Sequence, residues 1–384
     1  MRMLNAWTFE LDEPTTAVSE ILEQLDLANN ALTNSVGLIT CSYDFIEVGM
    51  IKAICDALPF EVIGCTTLTN ANNVVSGTML FCLTVLTADD CQFITAVTES
   101  LSEDPEKAIK RASRKALNRL TQPPKLAIAL FPLFRLDNDT ILSTLDEALD
   151  ETPIFGSIAC DYDTATYSDS YVIHGGECYR DCLSFALIAG NVNPKFVVTS
   201  TSDQNLIQQR AIITSSENCL LKQVNNMSAR DYLDSIGLIV GEGVEGMSSV
   251  PFVVDFCDGT QPVARAVYGF NEDGSAICGG VMPVGGTLYI GKLDFEDIID
   301  TAEKSMKKLL SNGEVNGIIM FPCLGRNIVL ALDPFAEINV LKQLVGEKPP
   351  IHLAYSAGEC CPVYEVDGRT TNRFHNFTFI GCAF

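Results

Sequence analysis

Positive charge is scarce in this chain. Its 384 residues carry 49 acidic side chains against 25 basic ones, a formal net charge of −24. Such a surface repels phosphate backbones and anionic lipid headgroups, so neither nucleic acid nor a membrane surface is expected as a partner. Long apolar runs are lacking too. The longest, Leu126 to Phe134, is about half of what a bilayer span requires. Residues 1–14 hold no apolar signal core and carry acids early, so the expected compartment is the cytoplasm. Neither a GxGxxG run nor a P-loop occurs, which leaves nucleotide binding without support. No cysteine pair has the CxxC spacing of a zinc or redox site.

What is present is core. Hydrophobic residues make up 47% and charged residues 19%, the composition of a globular chain long enough for two domains. Fifteen cysteines are scattered mostly inside apolar runs, as at Cys41, Cys65, Cys82 and Cys278. They read as buried free thiols in a reducing compartment, acting as small hydrophobes. The adjacent pair Cys360–Cys361 does not suit a relaxed disulfide.

Hydrophobic patterning gives an α/β chain. An amphipathic helix over 14–28 is followed by three segments of one kind. Each has an apolar strand (Val36–Cys41, Leu126–Phe131, Gly317–Phe321), a helix (46–58, 139–149, 334–345), a proline and a short strand. The expected fold is two domains of mixed, mostly parallel sheets flanked by helices, with repeated strand–helix–strand units. Between the second and third units lies a β-rich stretch. It has a hairpin turning at Ser215–Asn218, an Asp273-Gly274 turn, and a helix over Phe295–Leu310. The domains are placed at 1–210 and 211–384.

Three stretches near the C-terminus stand out where strands end or begin: Phe321-Pro322-Cys323-Leu324-Gly325-Arg326, Tyr355-Ser356-Ala357-Gly358-Glu359 and Phe374-His375-Asn376-Phe377-Thr378. In parallel sheets, ligands bind at the C-terminal strand ends. Arg326 and Glu359 on one crevice would grip a zwitterion, the guanidinium taking its carboxylate; alternatively the two pair with each other. A second chemistry is Cys323 as nucleophile with His375 as base, though with fifteen cysteines one near a histidine is expected by chance. His174 at a strand end reads as a solvated or satisfied histidine. Asp161 and Asp163 read as a solvated acidic loop rather than a cation site.

These stretches, in this order, resemble the C-terminal domain of the FIST family. Ala229-Arg230-Asp231-Tyr232-Leu233, Asp273-Gly274-Ser275 and Pro283-Val284-Gly285-Gly286-Thr287 extend the likeness upstream. Val62-Ile63-Gly64-Cys65 and Ile154-Phe155-Gly156-Ser157 resemble the FIST N-terminal domain. Pro322 departs from the pattern, which has Ser before the Cys. The resemblance implies a sensory module that binds a small ligand, amino acids being the class suggested; some family members are linked to haem, for which His174 would be the conceivable ligand, and no cofactor is expected here. It points to Cys323, Gly325, Arg326, Ser356, Gly358, Glu359, His375, Asn376 and Thr378 as the ligand-binding set. The chain has no room for an output domain, so the signal is expected to pass to a separate protein partner.

Overall fold

In the computed structural model the described residues are all but 134–136, 163–167, 239–246, 248, 312 and 366–367; at 208 and 209 only the backbone is described. Asp163 therefore lies outside the described residues. The three apolar strands named above form as Asn34–Cys41, Pro124–Phe131 and Ile318–Pro322. Each is fully buried over its second half, the pattern of a strand covered on both faces. Each lies parallel to the short strand that follows its helix: Val62–Thr66, Ile154–Ile158 and Ile351–Ala354 respectively.

The expectation of mostly parallel sheets needs correction. Those three strand pairings are parallel, the third extended by a Cys323–Ser356 bridge, and the other strand pairings among the described residues are antiparallel. The reason lies in the strands that complete each sheet. Phe81–Ala88, Ser184–Gly190 and Phe379–Ala383 return antiparallel beside the first strand of their own pair. The other flank is filled from elsewhere. Asn70–Asn72 leaves the first pair and joins the third. Val172–His174 leaves the second and joins the first. Glu359–Tyr364 leaves the third and joins the second. A ring of backbone bonds closes the exchange: Leu68 N–H to the Tyr355 carbonyl at 3.2 Å, Ala357 N–H to Ile158 at 3.2 Å, and Cys160 N–H to Thr66 at 3.0 Å. Two sheets consequently hold strands from both sides of residue 210.

A fourth, wholly antiparallel sheet is built from strands between Leu206 and Gly291. Its hairpin turns later than expected, because the strand runs on to Glu217 and Asn218 takes a left-handed φ of 49°. The helix expected over 46–58 is split into Asp44–Glu47 and Met50–Asp56, since Gly49 adopts a φ of 74°. Phe295–Leu310 forms as read, with Asp294 capping Asp297 N–H and Lys307 and Lys308 in its last turn.

His352 shows how the sheets are tied. Thr84 Oγ1 donates to Asn5 Oδ1, so it must accept from His352 Nδ1–H at 2.9 Å. Nε2 is then the acceptor for Thr40 Oγ1 at 3.1 Å. The ring is fully buried, and burial pushes its pKa down to about 3. It is a satisfied core histidine linking the first sheet to the third.

Candidate functional site

The parallel pair Ile318–Pro322 and Ile351–Ala354 ends at the same level, where Cys323 and Ser356 bridge. The exchanged strand beginning at Glu359 and the final strand beginning at Phe379 complete this edge. Four of the expected residues meet there. The Glu359 carboxyl takes the Thr378 hydroxyl at 2.6 Å and Ser356 Oγ at 3.3 Å, and the Cys323 thiol hydrogen-bonds it. All four side chains are buried. Burial, with no cation bonded to it, pushes the Glu359 pKa up to about 8, against the hydrogen bonds that lower it. Near neutral pH burial favours the protonated acid.

Arg326 is not part of that cluster. It lies in the first turn of helix Leu324–Leu330, fully buried and turned toward the neighbouring helices. Nη2 and Nε reach Glu337 Oε1 at 2.6 and 3.0 Å, and further donors reach the carbonyls of Ile298 (2.9 Å) and Ser200 (3.2 Å). Tyr355 hydroxyl donates to the other Glu337 oxygen at 2.7 Å. The guanidinium therefore faces Glu337, neither Glu359 nor an open crevice. Glu337 was not among the residues that the sequence singled out. Its signal was a carboxylate four residues before Leu341 on the apolar face of its helix, a place that demands a buried partner.

His375 and Asn376 close the hairpin whose first strand begins at Glu359, His375 lying directly across from it. His375 Nε2 contacts the Cys361 carbonyl at 3.0 Å and must donate to it. Burial pushes this imidazole down to about 3, so Nδ1 is a bare acceptor, and it has no partner. Asn376 Oδ1 accepts Ala266 N–H at 3.1 Å, while its buried Nδ2 has no partner. Gly325 and Gly358 are spacers. A Cβ at either would stand 2.5 Å from the ring of Phe377 or 2.7 Å from that of Phe374.

Beside this hairpin lies a second buried cation that the motifs did not include. Arg265 donates to the Phe374 carbonyl, to Val281 O at 3.3 Å and to Asp139 Oδ1 at 3.4 Å. An arginine inside the otherwise apolar run Val263-Ala264-Arg265-Ala266-Val267 was the available signal.

Cys323 and His375 share no hydrogen bond; the thiol sits against Glu359, and burial and then Glu359 raise its pKa well above the usual range. Cys360 and Cys361 alternate across their strand, one Sγ toward Ile154 O and the other toward Val197 O, so the two thiols point to opposite faces. His174 contacts Thr95 Oγ1 at 3.0 Å and is pushed down by burial. Pro322, the departure from the expected serine, still offers its carbonyl to Ser356 N–H at 3.1 Å. None of the fifteen cysteines is in a disulfide. Among the described residues no helix is long and apolar enough to cross a membrane.

Comparison with known proteins gives two family matches. The FIST N domain matches residues 35–227 and the FIST C domain residues 220–362. No curated protein matches the chain. Among solved structures, the chain is similar to a cyanuric acid hydrolase at 10% identity, over 76% of this chain and 98% of that one. The TM-score is 0.31, which carries no argument about fold or function.

Proposed function

The chain belongs to the FIST family, whose domains are sensory modules that bind small ligands, and we propose that it senses a small polar molecule held at the His375–Asn376 corner. One observation carries this reading. Among the motif residues, Glu359, Thr378, Ser356 and Arg326 have their polar side-chain atoms engaged, whereas His375 Nδ1 and Asn376 Nδ2 are buried and have no partner. A buried polar group left unpaired costs about 1–3 kcal/mol, a cost that a ligand removes by binding. Asn376 offers a donor and His375 an acceptor, and Arg265, which bonds the same strand, supplies a buried cation. A molecule carrying both a carboxylate or carbonyl and an N–H suits that set. Amino acids, the class implied by the family resemblance, are therefore the first to test. The signal would pass to a separate partner protein from a cytoplasmic sensor.

A thermal-shift screen against the amino acids, small organic acids and haem tests the proposal, because a ligand of the native state raises Tm. The best hit is then titrated calorimetrically. Loss of one hydrogen bond predicts about tenfold weaker binding in Asn376→Ala. Unchanged affinity in folded Asn376→Ala would remove the site from this corner. Equal loss in Arg326→Lys would return the anchor to Arg326.

A further inference from the structure

We propose that the helix Pro105–Leu117 is a docking surface for an acidic segment of a partner protein. Between residues 107 and 125 the sequence has seven basic side chains (Lys107, Lys110, Arg111, Arg114, Lys115, Arg119 and Lys125) and no acidic one. This occurs in a chain with about twice as many acids as bases. The helix explains how such a run is accommodated. Asp104 caps it by accepting Lys107 N–H, and its inward face is Ala108, Ile109, Ala112, Ser113 and Ala116. Small residues seat it close against the protein and leave an outer face of five cations and one acid, Glu106.

Part of that charge is neutralised. Lys110 pairs with Glu106 and Glu147, Arg111 with Glu99, and Arg119 with Glu61. Lys107, Arg114 and Lys115 are exposed and have no carboxylate partner among the described residues. The helix Phe295–Leu310 shows the contrast, since Lys304 and Lys307 pair with acids one turn earlier. Alongside Arg114, a groove of about 350 Å³ opens toward the helix Asn138–Ala148, lined by Lys110, Arg114, Leu117, Asn118, Glu147 and Ala148. Within it Glu147 is paired with Lys110, which leaves Arg114 as the cation beside apolar Leu117, a combination that suits an acidic, partly apolar segment.

The charge distribution decides among polyanions. With a Debye length of about 8 Å at physiological ionic strength, a short ligand feels the local patch and little of the net charge. A nucleic acid or anionic bilayer would extend past a helix about 20 Å long onto the acidic surface. A short acidic protein segment fits within it. One helix separates the surface from the strand that ends at the candidate ligand site: Asn138–Ala148 packs on this helix and on the strand ending at His375, with Asn372 Nδ2 bonded to Asp146 Oδ1 at 2.6 Å.

The test does not depend on the small ligand. A fluorescein-labelled helical peptide of glutamate and leucine is titrated with the full chain, and binding is read by anisotropy at low and high salt. The same titration uses Lys107→Glu/Arg114→Glu/Lys115→Glu. A control variant, Lys342→Glu/Lys348→Glu, reverses lysines elsewhere. Circular dichroism confirms that both variants fold. Reversing three surface charges together predicts at least about tenfold weaker binding in the first variant and less than about twofold in the control. High salt should abolish binding. No binding by wild type at low salt, or equal loss in both variants, overturns the proposal. Tighter binding of a single-stranded oligonucleotide or of phosphatidylserine vesicles would overturn it in favour of that partner class.

Discussion

Arg326 with Glu337 and Glu359 with Thr378 are two buried carboxylate clusters on adjoining elements, and burial treats them in opposite ways. Glu337 faces a guanidinium, and the pair is closed by Tyr355 and by carbonyls from two other segments. Glu359 has hydroxyls and a thiol around it, and burial pushes its pKa up to about 8. A buried acid is tolerated either with a matching charge or without its own charge. The motif order alone suggested a single site in which Arg326 and Glu359 met.

The largest expected effect breaks the charged half. Arg326→Ala leaves Glu337 buried without its ion and should cost about 3–5 kcal/mol of stability, measured by urea unfolding. A cost below about 1 kcal/mol would mean that the pair is not structural. The neutral half is sharpened by pH. The Glu359 pKa is raised on folding, so its stabilising contribution is full below about pH 4.5 and is lost as pH rises toward 8. Against Glu359→Gln, wild type should lose up to about 1.4 kcal/mol per pH unit across that window. Parallel pH curves for the two proteins would show that Glu359 titrates normally. His375, across the strand, has the reverse sign. Its folded pKa is depressed to about 3, so it destabilises the fold as pH falls below about 6.5. His375→Asn should flatten only that acid limb.

Smaller effects separate the clusters by hydrogen-bond type. Tyr355→Phe removes a bond to the ion-paired Glu337 and should cost about 1.5–3 kcal/mol, whereas Ser356→Ala, at the neutral carboxyl, should cost about 0.5–1.5. The reverse order in matched unfolding curves would invert the assignment. The smallest effect is chemical. Exposed Cys257 should be alkylated first by iodoacetamide at neutral pH, with Cys323 protected in the native protein, as mapped by mass spectrometry. Early labelling of Cys323 would favour a cysteine-dependent enzyme.

Local pattern was legible where one element decides its own form. The strands at Val36, Leu126 and Ile318 are continuous apolar runs, and Phe295–Leu310 carries its cap, its stripe and its terminal lysines in plain order. Some elements left weaker traces. The hairpin of Glu359–Tyr364 with Thr370–His375 reads as two turn motifs, because Cys360-Cys361-Pro362 shows neither alternation nor an obvious turn. Pro105–Leu117 is dominated by charge, and its inward face is mostly alanine, so its apolar period is faint.

By itself the sequence determined the α/β composition, the buried character of most cysteines, and the longest apolar strands and amphipathic helices. Each depends on periodicity or on neighbours within a few residues. Only the tertiary structure decided that Asn70–Asn72, Val172–His174 and Glu359–Tyr364 pair outside the segment they leave, that Arg326 turns to Glu337, and that His375 and Asn376 keep unpartnered atoms. Those outcomes depend on which distant elements are brought within hydrogen-bond reach, and on a burial that sets charge states by position; neither quantity is local to the chain.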